Sequence, residues 1–311
     1  MSTAFYTHAD CRLHDMGAGH PECPQRLDAI HDQLLASGLD IALDHRDAPL
    51  ATLEQIGRAH TTHYVLQLKD VLEQIESSGE SRHLDPDTLA CPGTWRAALR
   101  SAGAAVAATE AVLRGEVDNA FCAVRPPGHH AMRDEAGGFC FFNNVAVAAR
   151  HALDVAGLQR VAIIDFDVHH GNGTEDIIAG DERILMCSFF QHPLYPNCGA
   201  VPKGTNMVNV PIPAYTRGME VREVIDAMWL PALEAFRPEL IFISAGFDAH
   251  REDDMGQMGL VEADYEWITR RLQDVARRHA QGRIVSCLEG GYALSALARS
   301  VVAHVRVLAD V

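Results

Sequence analysis

Val161-Ala162-Ile163-Ile164-Asp165-Phe166-Asp167-Val168-His169-His170-Gly171-Asn172-Gly173 is the stretch on which the fold turns. Val161 to Ile164 form an apolar, β-branched run of the kind that fills a strand buried on both faces of a parallel sheet. The run does not end in apolar or turn residues. It continues into Asp165, Asp167, His169 and His170 before Gly171 and Gly173 break it. If the backbone stays extended to Asp167, side chains two apart share a face, so Asp165, Asp167 and His169 project together. Carboxylates packed side by side at the end of a buried strand require cations or donors to offset their repulsion and lost hydration. Carboxylate and imidazole are ligands suited to Zn²⁺ or a similar divalent ion. The alternative is a hydrogen-bonded turn with solvated charges.

Outward from this stretch, strand-like and helix-like patterns alternate. Strands are expected at Phe5–His8, Ala120–Val124, Val161–Asp167, Ile184–Phe189, Met207–Ile212, Leu240–Ala245 and Arg283–Leu288. Helices are expected at Thr52–His60, Thr62–Ile75, Thr94–Arg114, Asn143–Val155, Thr174–Ile178, Val221–Phe236, Tyr265–His279 and Leu294–Leu308. Such alternation implies βαβ units and an α/β fold, an open and mostly parallel sheet flanked by helices. With no linker, repeat or low-complexity tract, residues 1–311 are read as one domain. In such sheets the loops beyond the strand carboxyl ends hold the site. Here those loops read Arg125-Pro126-Pro127-Gly128-His129-His130, the aspartate–histidine cluster, Ala245-Gly246-Phe247-Asp248 and Glu289-Gly290-Gly291-Tyr292.

Composition bounds the function. A net charge of −16 lacks the basic footprint of a nucleic-acid binder, so no direct nucleic-acid partner is expected. No window approaches the ~20 apolar residues of a membrane span, and no secretory leader is read at the N-terminus. The eight cysteines are scattered without a Cys-x-x-Cys pair, which suits reduced thiols in a cytoplasm. The oligomeric state is left open, a homo-oligomer included. His60 and His63 lie a helical turn apart and are read as solvated residues of an amphipathic helix rather than ligands. Met219, Met255 and Met258 are read as packing residues rather than a cofactor surface.

In order along the chain, R-P-P-G-H-H, D-F-D-V-H-H-G-N-G, S-A-G-F-D and E-G-G-Y resemble the histone deacetylase superfamily. The segments Gly137–Asn144 (G-G-F-C-F-F-N-N) and His20–Leu27 (H-P-E-x-P-x-R-L) agree, and the likeness runs from about Cys11 to Tyr292. Asn172 and Glu289 resemble the class II branch and its bacterial relatives, acetylpolyamine amidohydrolases included. The resemblance implies the arginase–deacetylase type of open sheet. It implies zinc held by Asp167, His169 and Asp248, with an open position for water and substrate carbonyl. It makes His130 the general base, paired with Asn172, and His129 its cationic neighbour, paired with Asp165. Tyr292 would donate to the tetrahedral oxyanion. A structural K⁺ is implied at Asp165, Ser188 and Phe189, with main-chain oxygens of Asp167 and His169.

Gly138, Phe139 and Tyr195 are expected to bind substrate, Phe139 and Tyr195 as walls of an acyl-lysine tunnel. Here the sequence departs from the family's usual S-L-H and F-F-P-G, reading Ser188-Phe189-Phe190-Gln191-His192 and Leu194-Tyr195-Pro196-Asn197. Met255 takes the place of the acidic rim residue that resembles a polyamine selectivity device, although Glu252, Asp253 and Asp254 stand beside it. The expected function is a zinc-dependent amidohydrolase that removes acetyl or other acyl groups from lysine side chains or similar acylated amines. The alternatives are an acetylpolyamine amidohydrolase and, from a different class, a non-catalytic acyl-ligand binding protein on the same fold.

Overall fold

Ten strands are found in chain order in the computed structural model, which describes residues 2–311; Met1 lies outside the described residues. They are β1 (Thr3–Thr7), β2 (Leu43–Asp47), β3 (Arg82–His83), β4 (Leu89–Ala90), β5 (Asn119–Cys122) and β6 (Val161–Asp165). Then follow β7 (Ile184–Gln191), β8 (Met207–Ile212), β9 (Leu240–Ala245) and β10 (Ile284–Leu288). Eight of them build one sheet in the order β2-β1-β5-β10-β9-β6-β7-β8, while β3 and β4 pair apart as a short antiparallel ribbon. Every pairing in the large sheet is parallel. Consecutive strands of the sheet are therefore joined by crossovers, and the four central strands are buried along their whole length.

Helices cover the sheet in two groups. Gln25–Ser37 and Glu262–His279 pack on Leu294–Ala309, and Thr94–Leu113 packs on Asn144–Asp154. The long helix Thr94–Leu113 presents mainly alanines to its neighbours, and at Gly103 an added Cβ would stand 2.0 Å from the Pro49 carbonyl. Backbone-to-backbone approach of that kind requires a residue without a side chain.

The topology points to the site. From β6 the chain moves to β7 and β8 on one side, whereas from β9 it moves to β10 on the other. A reversal between adjacent strands opens a crevice at their carboxyl ends, because the following loops diverge. Asp167 and His169 leave β6 into that crevice, and Asp248 leaves β9.

Several boundaries depart from the sequence reading. The expected strand Val161–Asp167 stops at Asp165, so strand alternation does not bring Asp165, Asp167 and His169 together. Each carboxylate instead accepts from the backbone two residues on: Asp167 N–H reaches Asp165 Oδ1 at 3.1 Å, and His169 N–H reaches Asp167 Oδ1 at 2.9 Å. The i, i+2 spacing thus builds two successive aspartate turns that curl the chain. The helix expected over Thr52–His60 is a single turn, Leu53–Ile56. His60 is not solvated; it is buried, faces the Met132 carbonyl and accepts from Asn143 N–H, and burial pushes it down to about 4. Edge strand β2, Leu-Asp-His-Arg-Asp, carries no strand signal in the sequence because three of its side chains face solvent and leave no apolar alternation. The helix expected from Val221 to Phe236 is interrupted by a π turn at Ile225–Trp229. No helix among the described residues is long and apolar enough to cross a membrane.

Candidate active site

Four neighbouring strands, β5, β10, β9 and β6, deliver the four polar loops to one place. The loop after β5 is held by Glu289, which follows β10: its Oε2 accepts from Gly128 N–H at 2.7 Å and His129 N–H at 3.1 Å. Oε1 of Glu289 accepts from the Ser244 hydroxyl of β9 at 3.1 Å. Fully buried, Glu289 is pushed up to about 7 by desolvation. The loop that follows Glu289 is in turn fixed by Arg26, whose Nε donates to the Gly291 carbonyl at 2.7 Å and whose guanidinium also reaches the Glu289 carbonyl. Burial would raise Glu22, but Arg125 and Arg26 on either side hold it down at about 2. The H-P-E-x-P-x-R segment is thus a buried ion network that props the Tyr292 loop, with the Arg26 guanidinium 5.0 Å from the Tyr292 ring centre.

Asp167, His169 and Asp248 form the metal-competent group: one donor atom from each lies within 4.8 Å of the others, and all three residues are buried. His169 Nδ1 stands 3.1 Å from Asp167 Oδ1 and 3.0 Å from Asp248 Oδ2. Donors around a tetrahedral ion with bonds of about 2.0–2.1 Å lie roughly 3.3 Å apart, so the cluster has the right size for one. The carboxylates are aimed by backbone donors. Gly290 N–H donates to Asp167 Oδ2 at 2.8 Å, and Val168 N–H to Asp248 Oδ1 at 2.9 Å. A Cβ on Gly290 would stand 2.2 Å from Asp248 Oδ2 and 2.7 Å from Asp167 Oδ2, so only glycine lets this loop approach both. Gly291 has φ +118° and turns the chain toward Tyr292. Desolvation, followed by the charge of Asp167, pushes Asp248 up to about 7. Burial opposes charge on His169, but its two carboxylate partners push it up to about 10. Two buried carboxylates with a single imidazole between them are short of positive charge, which is what a divalent ion supplies.

The two adjacent histidines, 4.0 Å between ring centres, differ in their partners. His129 Nδ1 faces Asp165 Oδ2 at 3.0 Å, and Nε2 lies 3.7 Å from Asp167. Burial works against its charge, but Asp167 and Asp165 raise it well above the ordinary imidazole value. His130 Nδ1 faces the neutral amide oxygen of Asn172 at 2.7 Å. Burial, then the charges of His129 and His169, push His130 well below that value. One imidazole is held cationic and the other neutral within the same loop.

Asp165 pairs across the β6–β7 register with Ser188, whose buried hydroxyl has no hydrogen-bond partner. The Phe189 ring stacks on Trp229 at 5.5 Å, so only its main chain is available to an ion. A buried carboxylate beside an orphaned hydroxyl fits a monovalent cation.

Above the histidines lies a cavity of about 170 Å³. Buried His130 and His169 line it together with Tyr292, whose phenol is raised well above its ordinary value by burial and by Asp248 and so keeps its proton. Gly138, Phe139 and Tyr195 form its sides. Phe139 adopts φ +70°, a conformation costing a non-glycine residue about 1–3 kcal/mol, and its N–H donates to Thr88 Oγ1 at 3.0 Å. The Tyr195 ring meets His130 edge to face at 5.1 Å and is 38% exposed, so it belongs to the mouth. Half-buried Met255 and exposed Asp87 complete the lining.

Asp87 lines the cavity without belonging to any of the motifs above. Its signal was Asp85-Pro86-Asp87-Thr88, a turn in which Asp85 Oδ1 accepts from Asp87 N–H at 2.7 Å, but that motif looks like any surface turn. His20 was also missed as a neighbour of the site; its ring meets Phe139 edge-on at 4.8 Å. The acidic neighbours of Met255 do not reach the cavity. Asp253 is buried and accepts from Met255, Tyr292 and Ala293 N–H, and Glu252 pairs with Arg299.

Comparison with known proteins gives the same picture over nearly the whole chain. The histone deacetylase domain pattern matches residues 20–308. A histone deacetylase-like amidohydrolase of Pseudomonas aeruginosa is 40% identical over 282 residues, 88% of this chain and 73% of that protein. A protein of Mus musculus named polyamine deacetylase HDAC10 is 37% identical over 99% of this chain, which spans 48% of it. The crystal structure of the HDA15 HD domain superposes with a TM-score of 0.91 at 34% identity, covering 99% of this chain and 90% of that one. With its parallel eight-stranded sheet of the arginase–deacetylase type and its crevice at the β6–β9 reversal, this chain belongs to the histone deacetylase family.

Proposed function

We propose that the protein is a single-domain, zinc-dependent amidohydrolase that removes acetyl or related acyl groups from lysine side chains. The observation that carries this reading is the juxtaposition of a neutral and a cationic histidine beside three convergent metal donors, at the bottom of a narrow cavity. Asp167, His169 and Asp248 would hold the ion; when bound, it supplies a Lewis acid for the scissile carbonyl and its attacking water. K⁺ would sit at Asp165, Ser188 and the main chain of Asp167, His169 and Phe189.

His130, neutral and fixed by Asn172, takes the proton from the attacking water and returns it to the departing amine. A charged His130 lacks a lone pair for the first step, so the cation on His129 and the neutral partner Asn172 both favour the competent form. His129, clamped to Asp165, keeps a positive charge near the carbonyl as negative charge develops there. Tyr292 keeps its phenolic proton and donates it in a hydrogen bond to the tetrahedral oxyanion. Phe139, Gly138 and Tyr195 enclose the aliphatic stem and exclude water from it.

An acetylpolyamine substrate is the second reading, and the Asp87 carboxylate at the mouth favours it. Met255 argues for acyl-lysine, because it offers apolar area where a distal ammonium would need a carboxylate. A non-catalytic binding role leaves the two differently charged histidines and the protonated Tyr292 without a purpose. Turnover of a fluorogenic acetyl-lysine substrate, lost with a chelator and restored by zinc, is the expected result. A protein that binds the substrate without turning it over when zinc is supplied would be the binding protein instead.

A further inference from the structure

Beside the acyl cavity lies a second groove of about 210 Å³ that the proposed chemistry does not use. Leu68 and Val71 of the helix Thr62–Ser78, with Leu84 and Ala136, give it apolar sides, and Asp134 and Glu135 add two carboxylates. Both acids are exposed, and among the described residues neither carboxylate is engaged in an ion pair. No lysine or arginine lines the groove.

Its position ties it to the active site. Leu84 lines the groove and Asp87 the acyl cavity; Ala136 lines the groove and Gly138 the cavity. Chain segments of two and three residues reach at most about 7 and 11 Å. The two depressions are therefore neighbours, separated by the same pair of loops, and the strip between them carries Asp85 and Pro86. In an extended peptide, alternate side chains leave the same face about 7 Å apart. A substrate that places an acyl-lysine in the cavity thus brings the side chain two residues away over the groove. Lysine and arginine lay an aliphatic stem on apolar surface while the charged head reaches a carboxylate, which is the combination this groove offers.

We propose that this groove is a second specificity subsite, taking a lysine or arginine two residues from the acyl-lysine of a polypeptide substrate. The inference rests on the acyl-lysine reading above. Heptapeptides with a central acetyl-lysine and arginine, alanine or glutamate at position −2 or +2 test it. At one of the two positions arginine should raise kcat/KM over alanine by about three- to tenfold, the range of two partly screened ion pairs. Glutamate should lower it, and added salt should shrink the preference. The double variant Asp134→Asn/Glu135→Gln should bring the arginine-to-alanine ratio close to one, with a single acetyl-lysine fluorophore reporting whether the catalytic centre is intact. Equal rates for all three peptides, or a preference that survives the double variant, would overturn the subsite. So would a double variant that slows acetylspermidine while leaving the peptide ratio unchanged, since the groove would then serve a polyamine ammonium. Should the fluorophore not be turned over, the lysine deacetylase reading fails separately. Fluorescence anisotropy of the same peptides on Tyr292→Phe protein then still reads the preference.

Discussion

The floor of the active site and its mouth are built on opposite plans. At the floor, Asp165, Asp167 and Asp248 are fully buried, and each accepts at least one backbone or imidazole N–H. Asp165 ends β6, and Asp167 and Asp248 sit two and three residues beyond strands whose register fixes them. At the mouth, Tyr195, Asp87 and Met255 stand on loops, partly exposed, with no strand register to hold them. Buried charges demand partners, and those partners demand residues at set spacings. Mouth residues are under no such demand. The chemistry of this protein is therefore written in motifs, and its selectivity in positions without one.

The largest expected effect comes from emptying the floor. Asp167→Ala or Asp248→Ala leaves two donors in an open site, too few to hold zinc tightly. Stoichiometric zinc by elemental analysis and detectable turnover should both be lost. A variant that kept both at the wild-type level would place the ion elsewhere and undo the contrast between floor and mouth.

Next come the two groups that handle charge without holding the ion. Tyr292→Phe should retain zinc and fold while kcat falls on the order of a hundredfold, as for loss of one oxyanion donor. His130→Ala should cost at least as much. If Tyr292→Phe changed only KM, the phenol would be a binding group of the mouth instead of part of the floor.

Glu289 tests how far the floor depends on its buried scaffold. Glu289→Ala strips the acceptor from Gly128 and His129 N–H, and two unsatisfied buried donors should cost about 2 kcal/mol or more. The thermal unfolding midpoint should drop by about 3 °C or more. Glu289→Gln should be mild, because its carbonyl can accept both N–H groups while its amide donates to the Ser244 hydroxyl. Equal loss in the two variants would show that charge on Glu289, beyond hydrogen bonding, holds the histidine loop.

What could be read in the sequence follows the same division. The parallel α/β architecture was legible because buried strands read as apolar runs and each polar cluster followed one. The edge strand β2 was not, since Leu43 alone of its residues is buried. The spacing of Asp165, Asp167 and His169 is legible as a site but not in its geometry: nested aspartate turns, not strand alternation, set it, and Asp248 joins Asp167 and His169 only through the family resemblance. The turn is hydrogen-bonded, as the second reading of that stretch has it, but its charges are buried rather than solvated. His60 is not legible, because periodicity cannot tell a solvated histidine from one capping a neighbouring loop. Asp87 shows in the sequence only as part of an ordinary surface turn, since a mouth residue is chosen by its substrate and not by the fold.

The smallest effect, and the one aimed at the mouth alone, is Met255→Glu. Met255 is half-buried on the lining of the acyl cavity, and its N–H is held by Asp253, so the loop position is fixed while the side chain is free to change. A glutamate there would join Asp87 at the mouth and attract the distal ammonium of an acylated polyamine. At a partly dry rim one such pair contributes about 1.4 kcal/mol, a tenfold change in relative kcat/KM. The unmodified protein should therefore prefer acetyl-lysine peptides over acetylputrescine and acetylspermidine, and Met255→Glu should narrow that gap by about tenfold with little change in kcat for the peptide. Side-by-side kinetics on the three substrates decide it. Faster turnover of the acetylpolyamines by the unmodified protein would mean that Asp87 already supplies the charge, making the acetylpolyamine reading the correct one.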